Sequence, residues 1–133
     1  MILRAPVERV WAALTDPSEI AKWFGDGADI DLRPGGPARF AFGDDEVAAV
    51  VHAVEPNRRF AYYWVPGAQE HPVEITEVTR TLVDFTLEPV AGGTRLSLVE
   101  SGFAKFGDGR AYRDNSQGWD AELGDLATYL HAA

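Results

Sequence analysis

The sequence predicts an α+β fold: a curved antiparallel sheet of six to seven strands around one long C-terminal helix, with two short helices after the first strand. Three observations carry this expectation. From Ala28 onward the hydrophobic period changes from helical to two and stays so as far as Glu100. Short turn signals separate the alternating runs, and short connections force neighbouring strands to pair antiparallel. The last segment, 110–131, then returns to a helical period.

Residues 1–4 read as a strand stub, and Ala5-Pro6 opens a helix with proline in its first turn. Val7, Val10, Trp11 and Leu14 form its apolar stripe. A second short helix starts at Asp16-Pro17-Ser18-Glu19, where Asp16 is placed to cap and Glu19 to answer it in a capping box. Ile20, Trp23 and Phe24 make its apolar face, and Gly25 ends it. The candidate strands that follow are 28–32, 38–42, 47–54, 59–65, 79–88 and 94–100. Pro34-Gly35-Gly36, Gly43-Asp44-Asp45, Glu55-Pro56-Asn57 and Ala91-Gly92-Gly93 turn the chain between them, giving a meander. The longer polar link 66–78 is where the strand order is free to jump or a loop to fold over an opening. In the final helix Tyr112, Asn115, Trp119, Leu123, Leu126 and Leu130 fall within about 40° of one line, a stripe about five turns long.

Size and charge bound the function. At 133 residues the whole chain, 1–133, reads as one domain. Twenty-one acidic against 12 basic side chains give a net charge of -9, which repels nucleic-acid phosphates and anionic lipid headgroups. Arg58-Arg59 is the only adjacent basic pair. The absence of cysteine excludes disulfides, thiolate catalysis and cysteine-ligated zinc. No apolar run approaches the roughly 20 residues that span a bilayer, and the N-terminus lacks a secretory core. The expected compartment is the cytoplasm, with no nucleic acid or membrane as partner.

Alternation assigns the strand faces. Phe40 and Phe42 share one side, as do Phe60, Tyr62 and Trp64, then Val83, Phe85 and Leu87, then Leu96 and Leu98. Asp84, Thr86, Arg95 and Ser97 point the other way. The register of 47–54 is ambiguous, so His52 faces either the interior or the solvent. Large aromatics on a concave wall serve either as plain core or as the lining of an apolar pocket. Three polar residues on the same wall favour a wet or ligand-filled cavity. Asn115 sits in the apolar stripe, where an unsatisfied amide costs about 1–3 kcal/mol; Tyr62 brings a hydroxyl into the aromatic row; Glu100 ends the inner set. Gly118 and Gly124 each cost the last helix about 1 kcal/mol relative to alanine. Gly118 flanks the stripe, where a strand, loop or ligand has room to approach, whereas nothing in the sequence explains Gly124.

Together, Ala5-Pro6-Val7-Glu8-Arg9-Val10-Trp11, Trp23-Phe24, Gly35-Gly36, Val54-Glu55-Pro56, Tyr63-Trp64, Gly93-Thr94-Arg95-Leu96, Glu100-Ser101-Gly102-Phe103 and Gly118-Trp119 resemble the Hsp90-ATPase-activator-homologue domain. That family belongs to the START-like, Bet v 1-like (SRPBCC) superfamily, and the match spans essentially the whole chain in order. The resemblance implies a helix-grip fold, a seven-stranded sheet wrapping the C-terminal helix, and a cavity for lipids, sterols or polyketides. Eukaryotic relatives stimulate the Hsp90 ATPase, which makes a chaperone a conceivable partner. The family's first strand is longer than residues 1–4 here, and a clipped strand leaves part of its neighbour unpaired, an invitation to a homodimer.

Catalytic constellations find little support. Of the three histidines, His131 complements the final helix dipole. His71 stands near Glu70 and Glu74 at a spacing that resembles a metal pair but lacks a third ligand. Ser101 and His52 have no orienting acid, and no cofactor or metal is expected. The expected role is non-catalytic binding of a hydrophobic small molecule as carrier or sensor. The wall would comprise Trp23, Phe24, Phe40, Phe42, His52, Tyr62, Trp64, Phe85, Leu96, Glu100, Phe103, Asn115, Trp119 and Leu123. Trp23-Phe24 and the loop 101–109, with Phe103 and Phe106, are placed to gate the mouth. The alternatives are a chaperone-related interaction module and a cyclase-type enzyme using Tyr62, Glu100, Asn115 and His52, in which a buried Glu100 acts as general acid or base; in a plain structural reading Glu100 instead pairs with an arginine at the sheet rim.

Overall fold

The computed structural model of the chain describes residues 1–66, 74–107 and 109–132. Strand β1 (Ile2–Leu3) leads into helices α1 (Val7–Thr15) and α2 (Pro17–Ile20). Six further strands follow: β2 (Gly27–Ile30), β3 (Pro37–Phe42), β4 (Asp45–Glu55), β5 (Arg59–Trp64), β6 (Thr81–Val90) and β7 (Gly93–Ser101). A 3₁₀ turn at Phe103–Phe106 precedes the terminal helix α3 (Arg110–His131). The antiparallel sheet has the order β1-β7-β6-β5-β4-β3-β2. It is a meander from β2 to β7, as the turn signals require, with α1 and α2 carrying the chain from β1 at one edge to β2 at the other. Strand order does not jump across the long link, because β5 pairs directly with β6; the part of that link at 67–73, including His71, lies outside the described residues.

Each short helix is held by side chains that the sequence made prominent. In α1, Val10, Ala13 and Leu14 are buried and Trp11 meets Phe60 edge-on at 6.3 Å. Asp16 caps α2 by accepting from the Ser18 backbone N–H at 2.9 Å. Glu19 does not complete a capping box. Its carboxylate instead accepts from Arg9 and from the Tyr129 hydroxyl, and Arg9 lies over the Tyr129 ring at 4.9 Å. Those contacts tie α1, α2 and the end of α3 into one unit. Leu126 and Leu130 are buried beside it, and His131 accepts from the Arg4 backbone N–H through Nε2 at 3.0 Å. His131 is therefore a staple between α3 and the β1–α1 junction, where the sequence suggested a simple dipole partner.

The ambiguous register of β4 has a structural cause. Val51 pairs with Tyr62 but Ala53 pairs with Ala61, so a β-bulge lies between them. Val47, Ala49 and Val51 point inward, while His52 is exposed and packs edge-on against Tyr63 at 5.1 Å on the outer face. The proposed placement of His52 in the ligand wall is corrected: its ring continues the alternation from Val47, Ala49 and Val51 and faces solvent, and the bulge resets the facing only of the residues that follow.

Strand β1 covers only the start of β7. Ile2 pairs with Arg95 and Leu3 with Thr94, while Met1 exchanges both backbone bonds with Leu96. Gly93 admits this approach, because a Cβ there would stand 1.9 Å from the Leu3 carbonyl oxygen. Gly93→Ala is expected to push β1 off the sheet and lower stability by about 2–3 kcal/mol in urea denaturation. Gly92→Ala, whose Cβ would meet nothing within 4 Å, should cost only the left-handed backbone, about 1–2 kcal/mol.

Candidate functional site

Alternation along β5, β6 and β7 turns Tyr62, Trp64, Thr81, Phe85 and Leu96 inward, and all five are buried. Helix α3 lays Asn115 and Trp119, about one turn apart, across this wall. The rings then fill the middle. Trp23 stacks on Phe24 at 5.2 Å, Phe24 on Trp119 at 5.3 Å, and Trp119 on Trp64 at 5.6 Å. Phe40, Tyr62 and Phe85 close the space behind them, with neighbouring ring centroids 5.2–6.5 Å apart. The void left among these rings is about 10 Å³, room for one water at most.

The enclosed hollow expected between wall and helix is thus occupied by interlocking aromatics. Open space lies instead on the two flanks of the N-terminal half of α3. A cleft of about 540 Å³ separates α3 from β7, lined by Leu96, Leu98, Glu100 and Phe103 on one side and Asn115, Trp119 and Leu123 on the other. A second cleft of about 230 Å³ lies between Phe24, Phe42, Val47 and Trp64 of the body and Gly118, Trp119 and Glu122 of the helix. Asn115 and Trp119 line both.

Among the expected wall residues, Phe24, Phe42, Trp64, Leu96, Glu100, Phe103, Asn115, Trp119 and Leu123 reach these clefts. Phe40, Tyr62 and Phe85 lie behind them in the packed centre, and His52 is outside. Trp23 belongs to the core rather than to a gate: it is 7% exposed and its indole N–H donates to the Ala13 carbonyl at 2.8 Å. Phe103 meets Tyr112 edge-on at 5.5 Å over the mouth of the larger cleft. The sequence reading missed Glu122 and Thr81. Glu122 sits one turn beyond Gly118 on the helix, and Thr81 continues the inward alternation of Val83 and Phe85, so both signals were there to be used.

Glu100 joins the site together. Its Oε2 accepts from the Thr81 hydroxyl and from the Trp64 indole N–H at 2.9 Å; its Oε1 accepts from the Asn115 amide and from the Trp119 indole N–H at 2.7 Å. Three strands and α3 converge on this one carboxylate. The four donors found among the described residues include no arginine, in contrast to the expected rim ion pair. The four donors occupy the roughly four lone-pair positions a carboxylate offers, and the Asn115 amide N–H is one of them. Among the described residues no fully buried side-chain polar atom lacks a partner, and Asn115 and Glu100 hydrogen-bond to each other, so this pair does not by itself mark a wet cavity. Burial, and secondarily the charge of Glu100, hold the Tyr62 hydroxyl well above the ordinary phenol range.

No group of three or more potential metal ligands occurs among the described residues. No described helix is long and apolar enough to cross a membrane. Ser101 ends β7 on an exposed position.

Comparison with known proteins agrees with this architecture. The profile of the family described as Activator of Hsp90 ATPase homolog 1-like protein matches residues 4–131. The chain belongs to this family. Its structure is similar to that of MLL2253 from Mesorhizobium loti, at 29% identity and TM-score 0.80, covering 98% of this chain and 92% of that one. It is also similar to DynU16, a protein of the dynemicin biosynthetic locus, at 32% identity and TM-score 0.76, over 99% of this chain but 45% of the larger one. The Aha1 dimer from Colwellia psychrerythraea, 22% identical with TM-score 0.77 over 98% of this chain and 91% of that one, shares the fold. No curated protein matches.

Two variants probe this centre. Glu100→Gln turns one acceptor oxygen into a donor facing existing donors; unfolding free energy in urea should fall by about 3 kcal/mol, with changed Trp emission. The folded chain keeps the Tyr62 proton to higher pH than the unfolded one. Stability is therefore fully present below the ordinary phenol pKa of about 10 and falls as pH rises from there toward the folded value. Tyr62→Phe should flatten that alkaline decline in a melting-temperature series from about pH 8 to about pH 11.

Proposed function

We propose that this protein is a non-catalytic carrier or sensor of a hydrophobic small molecule, held in the clefts flanking the N-terminal half of α3. The observation that carries the reading is the pair of clefts meeting at Asn115 and Trp119, with aromatic rings exposed to one and a polar carboxylate edge to the other. Concave apolar walls with few, fixed polar groups are the usual form of small-molecule sites. Similarity to a protein of the dynemicin biosynthetic locus supports the same direction. Gly118 adds a local argument. A Cβ there would meet nothing within 4 Å, so no strand or loop among the described residues explains the glycine, which lines the smaller cleft. A general acid or base role for Glu100 fits poorly, since its oxygens are already engaged by four donors.

A second reading rests on a different surface. Val99 of β7 is 61% exposed, and Met1 and Ile2 beside it are 47% and 49% exposed. β1 pairs only with the beginning of β7, which leaves the far part of that edge without a described partner strand. A second copy joined along β7 would cover this patch, in keeping with the dimeric state of the Colwellia relative. Sedimentation of the wild type and of Val99→Lys decides it: a dimer lost in the variant supports the reading, and a monomer throughout removes it.

Uptake of an apolar fluorescent dye tests the carrier reading. Trp119→Ala should destabilise the core by about 3–5 kcal/mol and weaken uptake. Gly118→Ala should raise stability by up to about 1 kcal/mol yet reduce uptake, whereas Gly124→Ala, whose Cβ also meets nothing within 4 Å, should stabilise without touching uptake. Unchanged uptake in both Trp119→Ala and Gly118→Ala would make these residues structural only.

A further inference from the structure

The smaller cleft has a marked chemical polarity. Its walls are the rings of Phe24, Phe42, Trp64 and Trp119, and the one ionisable side chain that lines it is the Glu122 carboxyl. Both tryptophans point their indole N–H groups away from the opening, to Glu100 behind them. Their ring faces carry the negative side of the aromatic quadrupole, and an N–H donated to a carboxylate makes the ring richer in electron density still. The cleft is therefore negative from two directions, at its rim and behind its wall, with no lysine or arginine lining it among the described residues. Lys22 lines an adjoining depression next to Glu122 but forms no ion pair with it. Burial, and secondarily the charge of Asp125, push the Glu122 carboxyl up. The net charge of -9 adds a general attraction for cations.

Resting on the small-molecule reading of these clefts, we propose that the smaller one takes an aromatic compound bearing an ammonium group, with its cation at Glu122 and its rings against Phe42, Trp64 and Trp119. A cation at the Glu122 carboxylate is attracted by that charge and by the half-buried Phe42 ring, and the space left by the missing side chain of Gly118 admits the head group beside the helix. An anionic amphiphile such as a fatty acid would bring a second negative charge into a site that has nothing to neutralise the first. Neutral apolar molecules fit the walls but forgo the electrostatic part.

Isothermal titration of the intact chain with naphthylmethylammonium, naphthylmethanol and naphthoate separates charge from ring. The ammonium is expected to bind about tenfold tighter than the alcohol, with naphthoate weakest. Glu122→Gln should weaken the ammonium about fivefold and leave the alcohol unchanged. Glu8→Gln, which removes an exposed acid on α1 that lines neither cleft, should leave both unchanged. Equal binding of alcohol and ammonium, tighter binding of naphthoate, or an equal effect of Glu8→Gln would overturn the cation preference while leaving the carrier reading intact. Failure of all three compounds to bind would overturn both.

Discussion

Glu100 is the point on which the position of helix α3 depends. Its carboxylate receives Trp64 from β5, Thr81 from β6, and Asn115 and Trp119 from α3, while its own backbone belongs to β7. Hydrogen bonds to a charged acceptor are stronger than neutral ones, and four of them on one group fix both the height and the rotation of the helix over the sheet. The partners are all neutral, so the charge is dispersed by hydrogen bonding and not cancelled. That distinguishes this centre from an ion pair such as Arg59–Asp84 on the outer face, where two parallel bonds of 3.0 and 2.8 Å join opposite charges.

The same carboxylate explains where the free space is. By drawing both indole N–H groups inward it aligns Trp64 and Trp119 face to face at 5.6 Å and an interplanar angle of 27°. Phe24 continues the stack, and the interior closes. A helix pinned this way over a curved sheet leaves its flanks uncovered, which is where the two clefts lie. The two halves of α3 are held by different means. Its C-terminal half is buried through Leu126 and Leu130 and fastened by Tyr129 and His131, while its N-terminal half rests on the Glu100 centre and borders open space. Any ligand entering the clefts therefore meets the part of the helix with the smaller share of apolar burial.

Membership of the Activator of Hsp90 ATPase homolog 1-like family accounts for the fold over residues 4–131 without choosing among the activities such a fold supports. The choice rests on local chemistry: the ring faces and acidic edge of the smaller cleft on one side of α3, and the exposed Val99 edge beside the larger cleft on the other. Val99 and Met1 also line the larger cleft, so a second subunit on that edge would border the ligand space directly.

Much of this was legible in the amino-acid order. Hydrophobic periods of two and 3.6 follow directly from strand and helix geometry, so each strand was located to within a residue or two and α3 at Arg110–His131. Of the three polar residues singled out on the inner wall, Glu100 and Asn115 hydrogen-bond to each other and Tyr62 is buried in the aromatic centre, in keeping with the surfaces to which alternation and the helical stripe assign them. Tertiary structure alone decided how they meet. Counting inward positions forward from Val47 sends His52 out, and counting back from Val54 sends it in; the bulge reconciles the two, and a bulge is set by pairing with β5. Likewise the partners of Glu100 depend on the rotation of α3 over the sheet, and the volume between aromatic rings depends on their tilt, quantities fixed by packing among residues as distant in sequence as Phe24 and Trp119 and not by any local pattern.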